Sequence, residues 1–151
     1  MSDTDRTADR DAVSAVLDAI SRAWDAADAD AFGRAFTEDA SYITFVGTEY
    51  RGRADITESH RALFRAFTKG TRLIGEITSL RFPGPDTAVA VGRGDTYKRR
   101  PPAEPSKIQT FVLVRQPDGW RVAAFHNTRR RPLMEAMQFR FAPATRPLAA
   151  R

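Results

Sequence analysis

Between Phe36 and Gly47 the chain reads Phe-Thr-Glu-Asp-Ala-Ser-Tyr-Ile-Thr-Phe-Val-Gly, and a helical periodicity gives way there to an alternating one. Ahead of this stretch Val13, Val16, Leu17, Ile20, Ala23, Trp24 and Ala27 recur at i, i+3, i+4 and i+7 spacing, which predicts one long amphipathic helix starting at Asp9. Asp28 and Asp30 break or cap it, and residues 31–36 predict a second, short helix that turns Phe32 and Phe36 to the same core. Residues 40–46 alternate as a strand does. Gly47 and Gly52 then punctuate the turn into a third helix over about 54–67, one face of which carries Ile56, His60, Leu63, Phe64 and Phe67. Four strand-like runs follow near 71–82, 87–98, 106–116 and 119–129, with Pro83-Gly-Pro-Asp86 and Gln116-Pro-Asp-Gly119 as turns, so a meander is expected. This order outlines a cone-shaped α+β pocket.

A length of 151 residues suits a single domain with a sizeable core. The expected division is a disordered lead over 1–8, the domain over 9–131 and an arm over 132–151, in which Leu133-Met-Glu-Ala-Met137 is a weak helical patch. Proline keeps Arg99-Arg-Pro-Pro-Ala-Glu-Pro-Ser106 out of any ladder and places it at the open rim. The chain has no cysteine, which removes disulfides, thiolate nucleophiles and the usual zinc sites together. Two histidines without a carboxylate partner do not make a metal site, and no metal is expected. Met1-Ser-Asp-Thr-Asp-Arg is acidic and polar, and no segment approaches membrane-spanning length, so the expectation is a soluble, cytoplasmic protein with no membrane partner. The net charge of +5 arises from 24 basic residues against 19 acids. Its two local clusters, Arg99-Arg100 and Arg129-Arg130-Arg131, lack the interleaved aromatics that stack on bases, which argues against nucleic acid. No Gly-rich nucleotide fingerprint and no Gly-x-Ser-x-Gly nucleophile elbow is present, and no cofactor is expected.

Strand alternation selects candidates for the cavity wall. On the last strand a solvated Arg121 turns Trp120, Val122, Ala124 and His126 inward. On the strand before it, charged Lys107 and Arg115 share a face with Gln109, Phe111 and Leu113. That face is read as outer, a homodimer surface centred on Phe111 and Leu113, which leaves Ile108, Thr110, Val112 and Val114 for the cavity. Arg93, Asp95 and Tyr97 share one face, as cavity groups or as a surface ion pair. His60 is the most informative titratable group, because an imidazole changes charge near neutral pH; it is either a cavity acid or base or a sealed core group. Trp24, Phe32, Phe36, Phe64 and Trp120 read as core, which is chemically alike to an apolar ligand wall.

The stretch from Phe36 to Gly47, followed by Gly52-Arg-Ala-Asp-Ile56 and His60 and Phe64, resembles the SnoaL-like, nuclear transport factor 2-like superfamily, and within it the SgcJ/EcaC branch of enediyne and other polyketide pathways. The resemblance implies a cystatin-like cone: a barrel of strongly curved, mostly antiparallel sheet closed by three helices of the N-terminal half. It also implies an apolar, polyketide-derived ligand. Set against the ketosteroid isomerase branch, Glu38-Asp-Ala40 and Val46-Gly47 place Thr44 where that branch has its carboxylate base, turn Tyr42 and Thr44 inward and leave Gln109-Thr110 where it has a protonated acid. Set against the limonene epoxide hydrolases, Arg93-Gly94-Asp95 matches their Arg-x-Asp, but Asn127 stands at the position of their second aspartate. The expectation is a small-molecule-binding protein of natural-product biosynthesis or a cofactor-free cyclase, isomerase or dehydratase, with a non-catalytic accessory or association domain as the alternative. Tyr42, His60 and Asp95 are the candidates for proton transfer. Trp24, Thr44, Phe64, Arg93, Tyr97, Thr110, His126 and Asn127 are the candidates for holding the ligand.

Overall fold

A computed structural model describes residues 3–150. Helix α1, Asp3–Asp25, carries its apolar stripe onto the sheet. It begins six residues before the expected start, because Arg6 and Arg10 lie over the ring of Phe82 at 4.6 and 5.6 Å and Asp9, which is buried, accepts from Arg115 Nη2 at 2.6 Å. The lead read as disordered is therefore helical from Asp3, and Met1 and Ser2 lie outside the described residues. Ala27, at φ 54, turns the chain, and Asp28 caps α2, Ala29–Arg34, by accepting from the Ala31 N–H. Phe36 opens strand β1, Phe36–Ile43, rather than closing the helix.

A short strand, β2, Glu49–Arg51, falls between β1 and helix α3, Arg53–Arg65. Gly52 joins them at φ 85 and donates its N–H to Ala40 O at 2.7 Å. A side chain there would meet both the backbone strain of that φ and Glu38 O at 3.1 Å. Strands β3, Arg72–Gly84, β4, Thr87–Tyr97, β5, Lys107–Gln116, and β6, Gly119–Arg129, form the expected meander. Helix α4, Pro132–Phe141, ends the chain with two short 3-10 turns, and none of its residues is buried.

The six strands lie in the order β2-β1-β6-β5-β4-β3, with β1 parallel to β6 and every other pair antiparallel. The edges β2 and β3 do not pair, so the cone is not a closed barrel: β2 has three residues, and helices take the place of further strands. α1 packs on β3 and β6, α3 on β1 and β2, and α2 wedges between α1 and α3. The core lies between these helices and one face of the sheet, and includes Val13, Phe32, Phe36, Ile56, Leu113 and Val122.

Two features of the sheet decide which side chains reach the interior. On β5 the inner face is Lys107, Gln109, Phe111, Leu113 and Arg115, the set expected to be outer; Leu113 is 0% exposed and Phe111 8%. The charges at its ends do not mark a solvated face, since Lys107 bonds Asp95 and Arg115 stacks over Trp120 at 4.7 Å while reaching Asp9 and Asp86. Phe111 and Leu113 are thus core residues, and the outer face consists of Ile108, Thr110, Val112 and Val114. On β6 Ala123 is a bulge without a counterpart, because Leu113 pairs with Val122 and Val112 with Ala124. The alternation flips there. Trp120 and Val122 face inward before it, Phe125 and Asn127 after it, and His126 is exposed beside Thr110.

Candidate functional site

A cavity of about 620 Å³ opens between α1, α3 and the inner face of the sheet. Its inner wall is made largely of rings: Trp24, Phe32, Phe36, Tyr42, Phe111 and Phe125. Trp24 meets Phe64 edge to face with centroids 5.2 Å apart, and its Nε1 donates to Thr71 Oγ1 at 3.0 Å, which fixes the indole at the junction of α1 and β3. Phe125 brings Tyr42 and Phe111 together across β1, β6 and β5, at 4.4 and 4.8 Å. The outer part of the wall includes Phe45, Val46 and Phe67, and Phe67 is 90% exposed. Glycine at 94 makes room on the β4 side, since a Cβ there would sit 2.3 Å from Gln109 Oε1.

His60 projects from α3 into this wall and is 1% exposed. Its Nδ1 lies 2.8 Å from Ile56 O on its own helix, and its ring stacks on Phe32 at 4.1 Å and 23°. A carbonyl oxygen only accepts, so neutral His60 carries its proton on Nδ1 and presents a lone pair at Nε2. Burial pulls its pKa down to about 4, against the opposing pull of the hydrogen bond to Ile56 O, and the imidazole is neutral at pH 7. The ring of Tyr42 stands edge-on at 4.9 Å. Burial, with Tyr50 alongside, pushes its hydroxyl above the ordinary phenol range, so Tyr42 stays protonated. Neither the Tyr42 hydroxyl nor His60 Nε2 has a hydrogen-bond partner among the described residues, and Thr68 Oγ1 and Asn127 Oδ1, both in the wall, are buried without one.

Of the residues singled out from the sequence, Trp24, Tyr42, Thr44, His60, Arg93 and Asn127 line the cavity. Phe64, which is buried against Trp24, and Asp95, Tyr97, Thr110 and His126 do not. Asp95 lies on the face of β4 opposite Gly94, where its carboxylate accepts from Lys107 Nζ at 2.5 Å and from Ser106 Oγ and N at 2.7 and 3.0 Å. Burial raises the pKa of Asp95, but the bonds from Lys107, Ser106 and Thr96 outweigh it and hold the carboxyl well below the usual carboxylate range. It is an anion pinned to the rim, paired with Lys107 and not with Arg93. Thr110 and His126 face the other side of the sheet, so the two imidazoles do not flank one space. Sequence reasoning missed Phe45, Tyr50, Gln109, Phe111 and Phe125 as wall residues; the signal for the last two was two aromatics on neighbouring strands, a pairing that becomes visible only once the bulge at Ala123 is placed.

A second hollow of about 550 Å³, lined by Ala15, Ala19, Ala31 and Trp120 among others, lies between α1, α2 and β6 and is open to solvent. It holds none of the candidate residues.

The curved sheet under three helices, with a ring-lined cavity between them, defines an α+β protein of the cystatin-like, nuclear transport factor 2-like class. The chain belongs to the SnoaL-like domain family, which matches residues 5–126. Among solved structures it resembles a cystatin-like-fold domain from Nostoc punctiforme at 27% identity, covering 95% of this chain and 90% of that one with a TM-score of 0.77. A cystatin-like-fold protein from Caulobacter vibrioides shares 24% identity over 88% of this chain and 97% of its own, with a TM-score of 0.74. A type 2 hexachlorocyclohexane dehydrochlorinase shares the fold at 16% identity, 86% and 90% coverage and a TM-score of 0.72. No curated protein matches the chain.

Proposed function

We propose that this SnoaL-like protein binds a small apolar, ring-containing molecule of natural-product type, polyketide-derived as in enediyne pathways. The observation that carries the binding reading is the cavity of about 620 Å³ whose wall is aromatic yet includes polar atoms with no partners. A side-chain-filled core pairs its polar groups, whereas a ligand site keeps a few of them for its occupant. The polyketide context is supported by the likeness of the stretch from Phe36 to Gly47 to the SgcJ/EcaC branch. Native mass spectrometry of the protein isolated from its own source tests the reading: a retained apolar small molecule is the expected result. A protein that retains none, and whose unfolding temperature no apolar ring compound raises, overturns it.

Cofactor-free acid–base catalysis is a second reading, favoured by the neutral His60. Nε2 would accept a proton from the bound molecule while the Tyr42 hydroxyl hydrogen-bonds the oxygen that gains charge, as a cyclisation, isomerisation or dehydration requires. The dehydrochlorinase of the same fold makes proton removal a reasonable class of chemistry for such a cavity. Solvent deuterium entering a retained ligand, and failing to enter with His60→Gln, is the expected sign; equal exchange in both proteins overturns it. A homodimer remains part of the proposal, moved from Phe111 and Leu113 to the outer face of Ile108, Val112 and Val114.

A further inference from the structure

We infer that the molecule held in this cavity is an uncharged ring compound that carries a hydroxyl, with the hydroxyl donating to His60 Nε2 and accepting from the hydroxyl of Tyr42. The inference rests on the reading of the cavity as a ligand site and names the chemistry of the ligand. The contact of 2.8 Å with Ile56 O turns Nδ1 of His60 back to its own helix, and stacking on Phe32 holds the ring in that plane. Nε2, on the far side of the ring, is therefore turned away from the helix and can only accept. Tyr42, protonated and with its ring centroid 4.9 Å from that of the imidazole, supplies a donor on the neighbouring ring of the same wall. Neither atom is matched within the described residues, and both residues line the cavity, where an occupant can meet them.

One hydroxyl meets both needs at once, since it donates one hydrogen and accepts another. An ether or ketone oxygen satisfies Tyr42 but leaves Nε2 without a donor. A carboxylate would bring a charge among Trp24, Phe32, Tyr42 and Phe64, the rings nearest His60, none of which offers a cation to offset it. Of the two cations in the wall, the Lys107 amine is already taken by Asp95, and Arg93 stands on β4 in register with Glu76, whose carboxylate shares the wall.

The probes are 2-naphthol, 2-methoxynaphthalene, naphthalene and 2-naphthoate, titrated into the full chain at neutral pH by calorimetry or by quenching of Trp24, which stands in the wall. The expected result is binding of 2-naphthol about tenfold tighter than 2-methoxynaphthalene, the difference made by one donated hydrogen bond. His60→Phe should erase that preference and leave the affinity for naphthalene unchanged. Tyr42→Phe, which deletes one donor and keeps the ring, should weaken 2-naphthol and spare naphthalene, and serves alone where His60→Phe does not fold. Equal binding of 2-naphthol and 2-methoxynaphthalene overturns the inference while the cavity reading stands on naphthalene, and tighter binding of 2-naphthoate overturns it likewise. Failure of all four probes overturns both.

Discussion

At the scale of single residues, His60 and Asp95 show how surroundings assign opposite roles to groups that look alike in the sequence. Both were candidates for proton transfer. Burial among rings keeps His60 neutral and leaves one nitrogen to the cavity, whereas Lys107 and Ser106 bind Asp95 as a permanent anion. The low pKa of His60 has a consequence for stability. The unfolded imidazole, at 6.5, takes up a proton before the folded one at about 4, so this contribution is complete above pH 6.5 and is lost as pH falls from 6.5 to 4. A difference of that size corresponds to a loss on the order of 3 kcal/mol across the window. Urea midpoints measured between pH 7 and 4 should fall accordingly, and His60→Gln should flatten the slope. For Asp95 the sign is the same, because a depressed carboxyl likewise stabilises above its unfolded pKa and fails in acid. Asp95→Asn should cost about 1–3 kcal/mol at pH 7 by loosening the start of β5, and leave ring binding in the cavity intact. A loss of binding with unchanged stability would return Asp95 to the site.

At the scale of elements, β6 is the strand whose sequence misleads. Reading Trp120, Val122, Ala124 and His126 as one face assumes an unbroken alternation, and nothing in Val122-Ala-Ala-Phe125 signals the extra residue. The bulge at Ala123 turns Phe125 and Asn127 to the cavity and thereby completes its wall. Deleting Ala123 should force either Phe125 or Val122 to the wrong face and cost more than about 4 kcal/mol, detectable as loss of cooperative thermal unfolding. Helix α4 stands at the other extreme. Leu133, Met134, Met137 and Phe141 are exposed, no residue of the helix is buried, and its tie to the preceding strand is the pair Arg130–Glu135 at 3.0 Å. A chain ending at Arg131 should unfold within about 2 °C of the full chain in differential scanning calorimetry, since an exposed ion pair contributes little. A larger drop would show that the helix packs on something in solution.

At the scale of the whole molecule, an open sheet covered on one side by helices leaves the other side of β5 to account for. Ile108, Val112 and Val114 face outward there and are only partly covered. Two such faces packed about a twofold axis would remove them from water, and light scattering at micromolar concentration should report twice the mass of 16.8 kDa. Val112→Glu should return the protein to a monomer with its cavity intact. A monomer before substitution would rule the association out. No helix among the described residues is long and apolar enough to cross a membrane.

The order of elements and most of their limits were legible in the sequence, because helical and strand periodicity, capping Asp28 and the turns at Pro83 and Asp118 act within a few residues of themselves. The placing of His60 on a buried helical face followed from the same local rules, whereas alternation alone left β1 open between Tyr42 with Thr44 and Ile43 with Phe45, and only the family resemblance turned Tyr42 inward. Short β2, the helical start at Asp3, the inner face of β5 and the bulge at Ala123 did not, since each depends on partners far along the chain. Arg115 meets Asp9 across 106 positions, and Trp24 meets Thr71 across 47. Charged ends on β5 suggested water, and the tertiary structure supplied the carboxylates that let those ends snorkel past a buried centre. The cavity itself belongs to that second category. The list of apolar residues is the same for a filled core and for a lined space, and only the packing of α1 and α3 over a curved sheet decides that Trp24, Phe32, Tyr42 and His60 stand around a space and not against one another alone.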